Sequence, residues 1–147
     1  MVARMRYWEV SPDAYRAMGQ MNAYVARSKV EKSLRYLVQL RVSQINGCTY
    51  CVYRHTAEAL REGESQERID HLAEWRNAAC YAAKERAALA WSEVLTNVAA
   101  THAPDDAYEA VRTHFDDAEL VDLTLIVSIM NAWNRMAIGF GRGPEDR

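Results

Sequence analysis

The sequence predicts an all-α protein, and three observations carry that prediction. Glycine and proline, which interrupt helices, number only 6 and 3 in 147 residues. No stretch alternates apolar and polar residues for the length of a convincing strand. Apolar side chains recur instead at three- and four-residue intervals, as in Leu34, Leu37, Val38 and Val42 around Arg41. The composition is 50% hydrophobic and 26% charged, which is that of a globular chain. No linker, low-complexity tract or internal repeat is visible. The expectation is one domain, residues 1–147, of a size that buries roughly 70% of its unfolded surface.

The helices follow in order, about seven of them. Ser11-Pro12-Asp13 starts the first, with Ser as cap, Pro in the first turn and Asp at the positive end of the dipole, and the helix runs to about Arg27. The second spans Val30 to about Ile45. Asn46-Gly47 breaks the chain just before Cys48. The third runs from Thr49 to Arg61 and stops near Gly63. Ser65 caps a fourth through Ile69, Leu72 and Trp75. Lys84 to about Val98 forms the fifth, on Leu89, Trp91 and Leu95. Pro104-Asp105-Asp106 opens the sixth, to about Thr113. Asp116-Asp117 opens the last and most apolar, Glu119 to about Phe140. The tail, residues 141–147, reads as frayed.

Charge and hydropathy exclude several classes. A net charge of -2 and a pI near 6.1 give no electrostatic footprint for nucleic acid. No apolar run approaches the roughly 20 residues that cross a bilayer. Residues Met1 to Trp8 lack the apolar core of a signal peptide, so a cytoplasmic protein with no membrane partner is expected. Three cysteines are too few for a disulfide framework; in a reducing compartment a close pair points to redox or metal chemistry.

The chemistry concentrates in Cys48-Thr49-Tyr50-Cys51-Val52-Tyr53-Arg54-His55. On a helix, residues three and four apart share a face, so Cys48, Cys51 and His55 form one stripe. The break at Gly47 puts Cys48 at a helix N-terminus, where free amides and the dipole favour a thiolate and lower its pKa from about 8.5 to roughly 3.5–7.5. His55 lies one turn beyond Cys51 and serves it better than Cys48. Cys51 is therefore the candidate nucleophile, Cys48 the resolving thiol and His55 the proton carrier. If the electrophile is a peroxide, Cys51 becomes a sulfenic acid, condenses with Cys48 and is recycled by an external dithiol.

Rival readings of the pair exist. A structural zinc site wants four ligands, usually from two such pairs, and Cys80, His71, His102 and His114 supply only strays. A c-type haem needs His directly after the second cysteine, where Val52 stands. A thioredoxin needs a βαβ context. Two cysteines buried on a packed helix face are the bland alternative. No metal or cofactor is expected.

The run Leu40-Arg41-Val42-Ser43-Gln44-Ile45-Asn46-Gly47-Cys48, with Cys51 and His55 beyond it, resembles the AhpD-like alkylhydroperoxidases of the carboxymuconolactone decarboxylase superfamily. The likeness to the small single-repeat branch extends to Ala73-Glu74-Trp75-Arg76, residues 85–91, residues 119–124 and Asn131-Ala132-Trp133-Asn134-Arg135. The resemblance implies an AhpD-like helical bundle and a homo-oligomer, commonly a trimer or hexamer. It implies peroxidase activity through the CxxC pair, the later cysteine attacking, with a lipoylated carrier protein as reductant in some relatives. Members that decarboxylate a muconolactone do not use this pair.

Two positions depart from the pattern. Tyr36 stands twelve residues before Cys48, where the resemblance places a glutamate of the proton relay, and Tyr50 stands where some relatives have histidine. A tyrosine, with a pKa near 10, is a poor base at pH 7. This leaves a low-activity or non-catalytic redox sensor, or a dithiol–disulfide oxidoreductase, as the alternative. Glu58, three residues after His55 on the same helix face, is the candidate for orienting His55 in its place. Cys80 reads as a small core residue, and Trp8, Trp75 and Trp91 as packing anchors. Asn131, Trp133 and Asn134 are placed either at a pocket or in core or interface packing.

Overall fold

The computed structural model describes residues 3–146. Met1, Val2 and Arg147, parts of the N-terminal stretch and the tail read above, lie outside the described residues. Nine α-helices and one 3-10 helix occur among those described, and no strand. They are α1 Tyr7–Val10, α2 Pro12–Ala26, α3 Lys32–Asn46, α4 Thr49–Arg61, α5 Gln66–Asp70, the 3-10 helix Leu72–Asn77, α6 Ala83–Thr96, α7 Val98–Thr101, α8 Asp105–Arg112 and α9 Asp117–Phe140. Among the described residues, no helix is long and apolar enough to cross a membrane.

Helix α3 is the axis of the fold, packed against α4, α6 and α9. Its sequence carries two apolar stripes. Leu34, Val38 and Val42, four apart, enter one hydrophobic cluster with Leu123, Ile126 and Val127 of α9. Leu37 and Leu40, three apart, enter a second with Leu72, Trp75 and Leu89. A helix apolar on two sides has to be covered on both, so the chain wraps it.

Helix ends follow local chemistry. The Asp116 side chain accepts the Glu119 N–H at 2.8 Å, and the Glu119 carboxylate accepts the Asp116 N–H at 3.0 Å. Ser65 caps α5, accepting the Arg68 N–H at 3.2 Å. Ser11 does not cap α2 with its side chain; its backbone N–H instead closes α1 onto the Tyr7 carbonyl.

Three boundaries differ from expectation. The helix expected from Ser65 through Trp75 breaks at His71, and its second half tightens into the 3-10 turn. Arg86 anchors the end of that turn: its guanidinium takes the carbonyls of Trp75, Arg76 and Ala78 at 2.8–3.0 Å, holding it against α6. Helix α6 ends at Thr96, where Asn97 leaves helical geometry and α7 restarts the chain. The described tail is not frayed. Gly141, at φ 68°, reverses the chain out of α9 in a left-handed conformation that suits glycine. The Arg142 N–H then bonds to the Ala137 carbonyl at 2.8 Å, and Gly143 and Asp146 bond to each other. The Arg4 N–H reaches the Phe140 carbonyl at 2.8 Å, so the two chain ends meet.

Candidate active site

The site begins with the turn between α3 and α4. Gly47, at φ 67°, ends α3, and Cys48 becomes the N-cap of α4. The Cys48 sulfur accepts the Cys51 N–H at 3.3 Å, as a serine oxygen does at other helix starts. The two cysteines form a disulfide with Cα atoms 5.3 Å apart. Both are almost wholly buried, at 2% and 3% exposure. The turn is pinned from below. The Asn46 amide donates to the side-chain oxygens of Asn131 at 3.0 Å and Asn134 at 2.9 Å, and Asn134 donates to the Ser43 hydroxyl at 3.2 Å. Asn131 and Asn134 thus belong to a buried polar cluster that fixes α9 against the end of α3.

Cys51 and His55 line one cavity of about 50 Å³. Helix α4 also supplies Tyr50 and Arg54, and α9 supplies Met130 and Trp133. Tyr7, Tyr15, Gln39 and Arg142 close it from α1, α2, α3 and the tail. Cys48 is not among its lining residues, so the two sulfurs have different settings: Cys48 caps the helix and Cys51 forms cavity wall. Trp133 takes the pocket position, its indole N–H donating to the Asn22 oxygen at 2.9 Å.

Glu58 governs the charge behind this wall. One carboxylate oxygen lies 2.9 Å from His55 Nδ1, and the other accepts from Arg54 Nε at 2.9 Å. Burial pushes the Glu58 carboxyl up, but the bonds to His55 and Arg54 outweigh it and bring it from 4.5 down to about 2. An ionised carboxylate only accepts, so the Nδ1 of His55 carries the proton and Nε2 is left free of this bond.

The structure brings Cys48, Cys51, His55 and Glu58 together. Tyr36 does not line the cavity; it faces a groove with Glu31, Glu62 and Arg68, with the Arg35 guanidinium 5.3 Å over its ring. From α3 it is Gln39 that reaches the cavity. His71, His102 and His114 are exposed, and the half-buried Cys80 packs against the second hydrophobic cluster. Among the described residues, no group of three or more His, Cys, Asp or Glu is placed to hold a metal ion. Sequence reasoning missed Arg142, Tyr7 and Tyr15. Arg54 carried a signal, standing four residues before Glu58 at ion-pair spacing.

An all-helical single-domain bundle with a CxxC pair at a helix N-terminus is consistent with the AhpD-like fold. Residues 12–94 match the carboxymuconolactone decarboxylase family, and the chain belongs to that family. It is 38% identical over 141 residues, 96% of each chain, to YdfG of Bacillus subtilis, an uncharacterized protein. A crystal structure of a protein of unknown function from Agrobacterium tumefaciens, suggested to be the antioxidant defence protein AhpD, superposes with a TM-score of 0.93 at 40% identity, over 96% of this chain and 97% of that one. An uncharacterized peroxidase-related protein of Ralstonia eutropha, described as an alkylhydroperoxidase AhpD core, superposes with a TM-score of 0.83 at 26% identity, over 95% of this chain and 74% of that one.

Proposed function

We propose that the protein is a thiol-dependent peroxidase that reduces hydrogen peroxide or organic hydroperoxides. One observation carries the reading: Cys51, paired with Cys48, shares a cavity with a His55 whose far nitrogen is held by Glu58.

In this reading the reduced Cys51 thiolate attacks the terminal oxygen of the hydroperoxide. An S–O bond forms and the O–O bond breaks. His55, whose Nε2 has taken the proton of the Cys51 thiol, passes it to the departing alkoxide, which leaves as the alcohol. Cys51 is now a sulfenic acid. The Cys48 thiolate attacks its sulfur, hydroxide departs and takes up a proton as water, and the disulfide forms. Two electrons have passed from the dithiol to the peroxide.

An external dithiol completes the cycle. Its thiolate attacks the cavity-facing Cys51 sulfur, and Cys48 leaves as a thiolate at the helix N-terminus, where the Cys51 N–H receives it. The second thiol of the reductant then releases Cys51 and closes the reductant's own disulfide. A lipoyl dithiol on a carrier protein is a reductant of this class.

The test is peroxide consumption with dihydrolipoamide as reductant. Wild type should turn over, and Cys51→Ser should abolish turnover; retained activity in Cys51→Ser would remove Cys51 from the mechanism. A second reading, a dithiol–disulfide oxidoreductase or redox sensor, is favoured by Gln39, which is not an acid, being the residue that α3 turns into the cavity. It predicts that dihydrolipoamide reduces the disulfide while peroxide consumption stays at the rate of the reductant alone.

A further inference from the structure

We propose that the cavity selects substrates bearing a carboxylate, and that Arg142 is the group that binds it; this rests on the reading of Cys51 as the reacting thiol. Two guanidinium groups line the cavity and no Asp or Glu does. They are not equivalent. Arg54 is neutralised by Glu58 at 2.9 Å. Arg142 forms no ion pair with any carboxylate among the described residues; its Nη1 donates to the Tyr7 hydroxyl at 3.4 Å and its Nε to the Asp146 carbonyl at 3.3 Å.

A half-buried cation without a counter-charge is unfavourable unless something supplies the charge. Arg142 is nonetheless held firmly. Its guanidinium stacks on Trp8 and on Tyr50, 4.1 Å from each ring centroid. Tyr50, Cys51 and Arg142 line the same cavity, so the stacked cation and the reacting sulfur share it. A rigid, planar donor whose ordering is already complete suits a carboxylate, which a guanidinium meets with two parallel hydrogen bonds. Beside the polar Asn22, Gln39 and His55, the wall carries Trp133, Met130, Ile129 and tyrosine rings, which suits a short hydrocarbon chain. A volume near 50 Å³ admits few heavy atoms. The substrate class is a short-chain hydroperoxide carrying a carboxylate, its hydroperoxy end at Cys51 and its acid end at Arg142.

The first experiment does not depend on peroxide chemistry. The reduced protein is alkylated with iodoacetate or iodoacetamide, which differ in charge, and the rates at Cys51 and Cys80 are read by peptide mass spectrometry. The iodoacetate-to-iodoacetamide ratio at Cys51 should exceed that at Cys80 at least roughly tenfold, the order expected for a hydrogen-bonded charge pair. Arg142→Gln should bring the Cys51 ratio down to that of Cys80, and Arg142→Lys should restore part of it. Propionate, but not propionamide, should protect wild-type Cys51 from iodoacetamide, a measurement that needs no variant. Equal ratios at the two cysteines in wild type, an unchanged ratio in Arg142→Gln, or equal protection by propionate and propionamide would overturn the proposal. The second experiment compares a short hydroperoxy acid with its methyl ester. Wild type should prefer the acid in kcat/KM, and Arg142→Gln should lose the preference. Anion-selective alkylation without peroxide turnover would support the carboxylate site and sink the peroxidase; peroxide turnover without anion selectivity would sink the carboxylate site alone.

Discussion

Glu58 Oε2 lies 2.9 Å from His55 Nδ1, one turn along α4, and the same carboxylate holds Arg54 with its other oxygen. Two consequences follow, one for proton transfer and one for stability.

Glu58→Gln removes the ionised acceptor and with it the reason for His55 to keep its proton on Nδ1. Partners of this kind behind a working histidine are worth about 10–100-fold. We expect kcat/KM for peroxide to fall by that order in Glu58→Gln, with the protein still folded by circular dichroism. Glu58→Asp, whose carboxylate can still accept from His55, should recover part of the loss. Unchanged turnover in Glu58→Gln would remove Glu58 from the proton path.

The same carboxyl makes stability depend on pH. Its folded pKa is held at about 2, below the ordinary 4.5. A group depressed in the folded state stabilises it above the unfolded pKa and loses that contribution as pH falls through the folded pKa. The difference in urea midpoint between wild type and Glu58→Gln should therefore shrink from pH 4.5 toward pH 2. A difference that grows on acidification would contradict the assignment.

The turn before Cys48 offers a clean measure of backbone strain. A Cβ placed on Gly47 meets nothing within 4 Å, yet the residue sits at φ +67°. Gly47→Ala should thus cost about 1 kcal/mol through conformation alone. Gly47→Asn, which tolerates the left-handed region better, should cost less, as read from denaturant melts.

Asn134 is wholly buried, and Asn134→Ala would remove its bonds to the Ser43 hydroxyl, which still donates to the Gln39 carbonyl, and to the Asn46 amide, which still donates to Asn131. A net hydrogen bond contributes about 0.5–1.5 kcal/mol, so a loss of about 1–3 kcal/mol in unfolding free energy is expected for the two. Because Asn46 adjoins the Gly47 turn, the disulfide of this variant should also be reduced by dihydrolipoamide at a changed rate.

What the sequence made legible was local. The stripe of Cys48, Cys51, His55 and Glu58 lies within one helix, where spacing alone sets neighbours. The long helices α2, α3, α4, α6 and α9 were visible for the same reason: their apolar side chains keep a helical period. The 3-10 turn after His71 was not, because its end is held by Arg86, in a different helix, through three carbonyls. Arg142 was hidden for a similar reason. A Gly-rich tail reads as loose until Gly141 turns it back and Trp8 and Tyr50 clasp it. Tyr36 was read against a relay position, while the residue α3 turns into the cavity is Gln39.

The Cys48–Cys51 bond joins residues only three apart in sequence, both at the start of one helix. Closing so short a loop restrains an unfolded chain little, by about 2 kcal/mol against about 4.7 for a 100-residue loop. The molecule's integrity rests on the wrapped axis of α3, which no reductant touches. This link can therefore be dispensed with, and the protein can stand in its dithiol form without coming apart.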